Sequence, residues 1–154
     1  MNRIDNFIGG NTVKPISGKY SHSYNPPTGK PINEVAIGGA DDVEAAVAAA
    51  KAASAPWNSM KPIERGRVLL KIAQKLREHS EKLSSLEAGE TGKPVWQPAM
   101  EIEVAAQYFE FYGGLVNLYQ GEKIDLGPGY HSYTMREPFG VVGVITPWNA
   151  PLNQ

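Results

Sequence analysis

The sequence contains no cysteine. Without a thiol, this chain forms no disulfide, holds no thiolate-bound metal and supplies no cysteine nucleophile. The sequence also lacks any run of about 18 consecutive apolar residues, so we expect no membrane-spanning helix. Its first ten residues, MNRIDNFIGG, have no long apolar core of the kind found in a secretory signal. Together these absences favour a cytoplasmic protein.

The sequence has no excess of charge of one sign either. Its formal net charge is −1, and acidic and basic residues are interspersed. Nucleic acids and anionic membranes are bound by basic faces, so neither is expected as a partner. The three histidines, His22, His79 and His131, do not cluster and have no partner at ligand spacing, so no metal site is predicted. The chain has the size of one globular domain.

Residues 1–38 are predicted to form strands and turns. Phe7-Ile8 and Thr12-Val13 flank Gly9-Gly10-Asn11, a pattern typical of a β-hairpin. Proline and glycine in YNPPTGK (24–30) indicate a loop. The alternation in INEVAI (32–37) predicts a short strand that ends at Gly38-Gly39.

Helices are predicted through the middle of the chain. The first has Asp41 or Asp42 as its cap and runs to about Ala55. The second has Pro62 in its first turn. Helical spacing places one apolar stripe on each, which we expect to be buried. The stripes are Val43, Ala46, Val47 and Ala50 on the first helix, and Val68, Leu69, Ile72 and Leu76 on the second.

Two further helices follow. The third runs from Ser80 to near Glu90, because Gly92 and Pro94 would break it. The fourth opens at Pro98, is weakened by Gly113-Gly114 and ends by Gly121. Its inward residues are predicted to be Ile102, Ala105, Ala106 and Phe109, and its solvated face is predicted to carry Glu101, Glu103 and Glu110.

The carboxyl-terminal part is predicted to be extended again. HSYTMRE (131–137) alternates and is rich in β-prone residues. GVVGVIT (140–146) is an apolar, β-branched run, as in a strand buried on both faces of a parallel α/β sheet. A parallel sheet needs further strands joined by crossovers, and this candidate comes last. We therefore expect an α/β protein of which this chain is roughly the first third.

The candidate functional residues follow this run, in ITPWN (145–149). Ligands of open α/β folds bind at the carboxyl ends of the strands. Trp148 offers an apolar face with one N–H donor, and the amide of Asn149 could donate to a developing oxyanion. The alternative is a plain strand-end turn, in which Pro147 stops the strand, Trp148 packs and Asn149 caps the turn.

The segment EPFGVVGVITPWNAPL (137–152) resembles the part of the aldehyde dehydrogenase superfamily that opens its cofactor domain. Three other segments resemble that family in the same order. They are YNPPTGKPI (24–32), AAKAASAPWNSMKPIERGRVLLKIAQKL (49–76) and LEAGETGKP (86–94). The resemblance spans essentially the whole chain and favours the functional interpretation of Asn149.

This resemblance implies an aldehyde dehydrogenase-like fold with a Rossmann-like cofactor domain, a catalytic domain and an oligomerisation arm. Residues 1–121 would be the amino-terminal strands and helices of the cofactor domain. Residues 122–138 would be an arm strand, and 139–154 the first strand of the Rossmann-like core with the catalytic turn. The implied protein is a homodimer or homotetramer.

The implied reaction is NAD- or NADP-dependent oxidation of an aldehyde to an acid through a cysteine thioester. Asn149 matches the asparagine that hydrogen-bonds the substrate oxygen. Ile145, Thr146, Pro147 and Trp148 match residues that line the cofactor. Ala150, where many relatives have an aromatic residue, and Asn153 would belong to the substrate pocket and favour an aldehyde bulkier or more polar than acetaldehyde.

The chain departs from the family pattern because it contains neither the nucleophilic cysteine nor the downstream catalytic and cofactor-binding groups. We therefore expect it to be an amino-terminal portion that is inactive alone. The alternative is a non-catalytic module that docks onto full-length subunits. An unrelated helical domain would have to match four ordered motifs by chance.

Overall fold

The computed structural model describes residues 2–154. Short strands come first, four helices follow, and a two-stranded ribbon precedes a long irregular segment. The elements are β1 (Asn2–Ile4), β2 (Asn6–Ile8), β3 (Asn11–Val13), β4 (Tyr20–Asn25), β5 (Lys30–Ala36), α1 (Ala40–Ser59), α2 (Pro62–Glu78), α3 (Ser80–Thr91), α4 (Trp96–Leu115), β6 (Lys123–Ile124) and β7 (Ser132–Tyr133).

The amino-terminal strands form one sheet and one hairpin. In the sheet, of order β1-β5-β4, β1 runs parallel to β5, and β4 pairs antiparallel with β5. The predicted loop joins β4 to β5, where Asn25 Oδ1 accepts hydrogen bonds from the backbone and the hydroxyl of Thr28. The predicted hairpin is also confirmed as β2–β3. Its turn residues Gly9 and Gly10 have φ of +60° and +81°, which side chains other than glycine rarely adopt.

Helix α1 differs from the prediction at both ends. Its N-cap is Gly39, and Asp42 lies at the third helical position, where its Oδ2 accepts the Gly39 N–H at 2.8 Å. The helix also continues through Pro56 to Ser59. Proline forfeits one main-chain hydrogen bond, and the Ser59 hydroxyl donates to Pro56 O at 2.7 Å to close the last turn.

The Asp42 carboxylate joins three segments. Its Oδ1 accepts a hydrogen bond from Asn6 Nδ2 in β2 and another from the backbone N–H of Ile16. The backbone donors Gly39 and Ile16 lower the pKa of Asp42 below its ordinary value. The predicted buried stripe of α1 is wrong: Val43, Ala46 and Ala50 are exposed. Helix α1 packs mainly on the small strand β2, which leaves most of that stripe uncovered.

The core lies between α4 and the two helices before it, with α2 making the larger contact. Ile102, Ala105 and Ala106 are buried as predicted, and Phe109 is half-buried. Gly113 does not weaken the helix, which continues to Leu115 and ends before Gly121. It allows a close crossing instead: a Cβ added to Gly66 in α2 would lie 2.5 Å from Gly113 O. The two glycines therefore set how closely α2 and α4 approach.

Glu103 and Glu110 of the predicted solvated face of α4 do lie at the surface, with 45% of each side chain exposed, but they are paired across the helix crossing. Arg77 of α2 forms ion pairs with Glu103 at 2.8 Å and with Glu110 at 2.6 Å. Both glutamates raise the pKa of Arg77, Glu110 more strongly. These half-exposed ion pairs link α2 to α4 at the outer side of the helix crossing.

Helices α3 and α4 begin and end close to the predicted positions. Helix α3 starts at Ser80 and ends at Thr91, followed by Gly92 in the left-handed conformation at φ +78°. Helix α4 begins at Trp96, two residues before Pro98. Proline is tolerated there because the first helical N–H groups have no partner within the helix.

The carboxyl-terminal part differs most from expectation. Of HSYTMRE (131–137), the residues Ser132–Tyr133 alone form a strand, paired antiparallel with β6. The strand predicted at 140–146 is absent, and that segment has no regular secondary structure. Strand hydrogen bonds require a neighbour, and no strand between residues 2 and 154 lies beside it.

Candidate active site

The segment 145–154 carries the predicted functional residues, and the structure divides it in two. Residues up to Asn149 project from the helices: Ile145 is fully exposed and Trp148 is 78% exposed. From Ala150, which is 7% exposed, the chain turns back onto the helical core. The backbone N–H of Asn153 donates to Ala150 O at 3.1 Å and closes this turn.

The predicted cofactor-binding residues have no side-chain hydrogen-bond partners within the part of the chain that the structure describes. The side chains of Thr146, Trp148 and Asn149 make no hydrogen bonds there, and residues 140–146 make no main-chain hydrogen bonds. The exposed indole of Trp148 can contact a planar ligand group. The amide of Asn149 has free N–H donors for a polar oxygen.

Asn153, predicted for the substrate pocket, lines a cavity of about 330 Å³. One wall is the terminal turn, Leu152–Gln154. Residues of α2 and α4 form the other wall, and no charged side chain from residues 2–154 lines this cavity. These helical residues are Leu69, Ala105, Tyr108, Phe109 and Tyr112. Ala150, the other predicted pocket residue, is buried beneath the turn, and Asn149 is exposed outside the cavity wall.

Leu152 also borders a second cavity of about 230 Å³, together with Pro151 and residues of α3. Leu83, Leu86, Glu87 and Glu90 complete its lining. The turn 150–153 therefore rests on α3 and α4 together, and its position depends on how those two helices are joined.

A largely buried ionic cluster joins these two helices. Lys93, in the link between α3 and α4, contacts Glu87 Oε1 at 2.9 Å and Glu101 Oε2 at 2.5 Å. Gln97 Nε2 donates to the second oxygen of Glu101 at 3.0 Å. Burial raises the pKa of Glu87, whereas the hydrogen bond from Lys93 lowers the pKa of Glu101. The sequence analysis missed this cluster and assigned Glu101 to a solvated face.

The chain matches the model of the aldehyde dehydrogenase family over residues 13–154. The chain belongs to the aldehyde dehydrogenase family. It is 38% identical to an aldehyde dehydrogenase of Paracoccus denitrificans over 151 residues, which cover 97% of this chain and 30% of that protein. This aldehyde dehydrogenase chain thus spans about 30% of the length of the curated relatives it matches.

Solved structures of the family have the same fold over this portion. A variant of the aldehyde dehydrogenase of Bacillus cereus matches with a TM-score of 0.93 and 38% identity, over 97% of this chain and 31% of that one. A betaine aldehyde dehydrogenase variant of Staphylococcus aureus, in complex with NAD+, matches with a TM-score of 0.90 and 33% identity, over 97% and 30%. The expected fold class, α/β and aldehyde dehydrogenase-like, is confirmed.

Among residues 2–154, no helix has both the length and the apolar character needed to cross a membrane. The same residues contain no group of three or more histidine, aspartate or glutamate side chains placed to hold a metal ion.

Proposed function

We propose that this chain is the amino-terminal part of an NAD(P)-dependent aldehyde dehydrogenase, an oxidoreductase that converts an aldehyde to a carboxylic acid. The observation that carries this proposal is the family match over residues 13–154. The complex of the Staphylococcus aureus relative with NAD+ supports the cofactor class.

In this reaction a cysteine thiolate from outside this chain adds to the aldehyde carbon, a hydride passes to the nicotinamide of NAD or NADP, and water releases the acid from the thioester. Asn149 donates its amide N–H to the aldehyde oxygen as negative charge develops there. Its exposed side chain makes no hydrogen bond within residues 2–154, so its donors are free for this role.

Ile145, Thr146, Pro147 and Trp148 form the surface that receives the cofactor. Their exposure supports this assignment, because no part of the described chain covers them. The indole of Trp148 offers an apolar face against which a flat ring can pack. The small Ala150 and the polar Asn153 favour an aldehyde bulkier or more polar than acetaldehyde.

The remaining parts of the chain have supporting roles in this proposal. Residues 1–121 belong to the cofactor domain, 122–138 form an arm strand, and 139–154 begin the Rossmann-like core. An arm of this kind pairs with another subunit, so the complete protein is a homodimer or homotetramer. Light scattering that finds a monomer would contradict the proposed arm.

The central experiment is an assay of the complete protein. We expect aldehyde-dependent reduction of NAD or NADP, with formation of the corresponding acid. The 154-residue chain expressed alone should show none. Absence of turnover by the complete protein over small, long-chain and aromatic aldehydes with both cofactors would overturn the proposal.

A second candidate is a non-catalytic module that docks onto full-length subunits. The exposed apolar residues of 139–148 favour it, because docking would cover them. The intact mass of the natural protein separates the two hypotheses. A mass near 16.7 kDa supports the module, whereas a mass about three times larger, with a cysteine-containing segment, supports the enzyme.

A further inference from the structure

Lys93 lies in the link between α3 and α4 and pairs with one carboxylate from each helix. Its ammonium group contacts Glu87 Oε1 of α3 at 2.9 Å and Glu101 Oε2 of α4 at 2.5 Å. The side chains of Lys93, Glu87 and Glu101 are largely buried, with 13%, 5% and 19% of their surfaces exposed. Among residues 2–154, no other ion pair joins these two helices. Lys93 therefore fixes where the start of α4 lies relative to the end of α3.

Stability alone does not explain why charged groups occupy this buried position. Removing charges from water costs free energy, and apolar side chains of similar volume often stabilise a core as well or better. Charge-assisted hydrogen bonds are directional, however, whereas apolar contacts are not. A buried ionic cluster is therefore suited to holding two helices in one defined geometry.

The end of α3 that Lys93 contacts is itself held by the amino-terminal sheet. Asn25 Nδ2 of β4 donates a hydrogen bond to Gly89 O at 2.9 Å. Asn33 Nδ2 of β5 donates a hydrogen bond to Glu90 Oε1 at 3.2 Å. The sheet thus fixes the end of α3, and Lys93 fixes α4 to α3.

The turn that follows Asn149 rests on the two helices that Lys93 joins. Leu152 borders both the cavity against α4 and the cavity against α3, and Glu87 lines the second of these. Ala150, directly after Asn149, is buried against the helical core with 7% of its surface exposed. A change in the geometry between α3 and α4 would therefore move this turn, and Asn149 with it.

We propose that Lys93 is a positioning residue for aldehyde oxidation: by pairing with Glu87 and Glu101, it holds α3 and α4 in the geometry that places the Asn149 amide against the aldehyde oxygen. This inference rests on the proposed aldehyde dehydrogenase function, in which Asn149 is the catalytic group. Lys93 contacts neither substrate nor cofactor and acts through Asn149 alone.

A double-mutant cycle in the complete enzyme tests whether Lys93 acts through Asn149. In the wild-type background, Lys93→Met should lower kcat about tenfold, because a small displacement of a catalytic group slows the reaction. In the Asn149→Ala background, the same substitution should change kcat less than about twofold, because the group that Lys93 positions is already absent. A purely structural role would lower kcat by the same factor in both backgrounds, since it would reduce the folded fraction equally.

Lys71→Met is the matched control, because it makes the same chemical change at an exposed position of α2. It should leave kcat unchanged in both backgrounds. If Lys93→Met fails to fold, a triple variant replaces the whole cluster with methionine: Glu87→Met, Lys93→Met and Glu101→Met. An apolar cluster of similar volume should keep the unfolding temperature near the wild-type value. Its kcat should still be about tenfold lower, with the same dependence on Asn149.

The outcomes separate this inference from the proposed function. Equal factors in the two backgrounds, or a wild-type kcat in either Lys93 variant, overturn the role of Lys93 and leave the enzyme class intact. An unchanged kcat in Asn149→Ala also overturns it, because there would be no catalytic amide to position. If the complete protein oxidises no aldehyde, the proposed function fails, and the role of Lys93 fails with it.

Discussion

The helical core and the segment 139–149 are both rich in apolar residues, but they differ in what covers those residues. In the core, α4 buries Ile102, Ala105 and Ala106 against α2 and α3, and the charges of Lys93 and Arg77 are paired. In the segment 139–149, Phe139 and Ile145 are fully exposed and make no strand contacts. The buried side chains of the first region are covered by the chain itself. The second has apolar surface and hydrogen-bonding groups that need partners from outside it.

This difference predicts that the two regions respond differently to substitution. Changes in the core act on stability, because each side chain there contacts other parts of the same chain. Changes in 145–149 should leave stability nearly unchanged and act on catalysis or ligand binding. Three substitutions test that distinction, beginning with the largest expected effect.

Asn149→Ala in the complete enzyme tests the exposed region. Loss of one donor to a developing oxyanion typically lowers kcat by about 10²–10³, and we expect a fall of that size. The unfolding temperature should stay near the wild-type value, since the side chain makes no hydrogen bond within residues 2–154. Steady-state kinetics and thermal unfolding measure the two effects. An unchanged kcat, or a loss of stability as large as that of a core variant, would remove the contrast between the regions.

Lys93→Met tests the buried cluster. Without the ammonium group, Glu87 and Glu101 remain close together in a poorly solvated site, so we expect about 2 kcal/mol of destabilisation near neutral pH. Urea unfolding at several pH values measures it. Lys71→Met, on the exposed surface of α2, is the control and should have little effect.

The pH dependence of this variant has a defined sign. Burial raises the pKa of Glu87 in the folded state, so its protonated form favours folding, and that contribution is lost as pH rises through the raised pKa. Lys93 lowers the pKa of both Glu87 and Glu101, so its removal raises both pKa values. The penalty of Lys93→Met should therefore shrink as pH falls through these raised values and be smallest below the ordinary glutamate pKa of about 4.3. A penalty that grows on acidification would contradict the assignment of Glu87.

Gly66→Ala tests the helix crossing and should have the smallest effect of the three. The new Cβ would lie 2.5 Å from Gly113 O, so α2 and α4 must move apart. We expect a net loss of about 1–2 kcal/mol, because better helix propensity offsets part of the clash. Gly114→Ala is the matched control: its Cβ meets no atom within 4 Å, and it should stabilise by about 0.5–1 kcal/mol. Denaturant unfolding of both variants gives the comparison. Equal effects would mean that the crossing is not tight.

The sequence predicted those elements whose signals are local. Gly9-Gly10 marked the hairpin, Pro62 marked the start of α2, and Gly92 marked the end of α3. Each of these residues acts through its own backbone geometry, so a few neighbouring letters are enough to identify it.

The errors concern residues whose roles depend on distant parts of the chain. Gly113 was expected to weaken α4, because nothing in its neighbours shows that Gly66 crosses there. The stripe of α1 was expected to be buried, and Glu101 to be solvated, for the same reason. The run 140–146 has the composition of a strand. A strand also needs hydrogen bonds to an adjacent strand, and no such strand lies beside this run in the described chain.

The candidate site was predicted mainly from the resemblance to a known family, and less from the residue types and their spacing. The tripeptide Pro147-Trp148-Asn149 is compatible with an ordinary turn, and the four ordered motifs gave it a functional interpretation. Asn153 was assigned to the pocket from the same resemblance, and the structure places it in a cavity wall. The roles of Asn149 and Asn153 stay predictions.

The parallel pairing of β1 with β5 has a consequence for how this protein is made. Arg3 in β1 contacts Glu34 in β5, a partner 31 positions later in the chain. At a synthesis rate of about 5–20 residues per second, β1 leaves the ribosome roughly 2–6 seconds before its partner. During that interval β1 lacks the strand with which it pairs in the folded protein. Its first residues, Asn2 and Arg3, are polar or charged, which discourages pairing with another chain until β5 emerges.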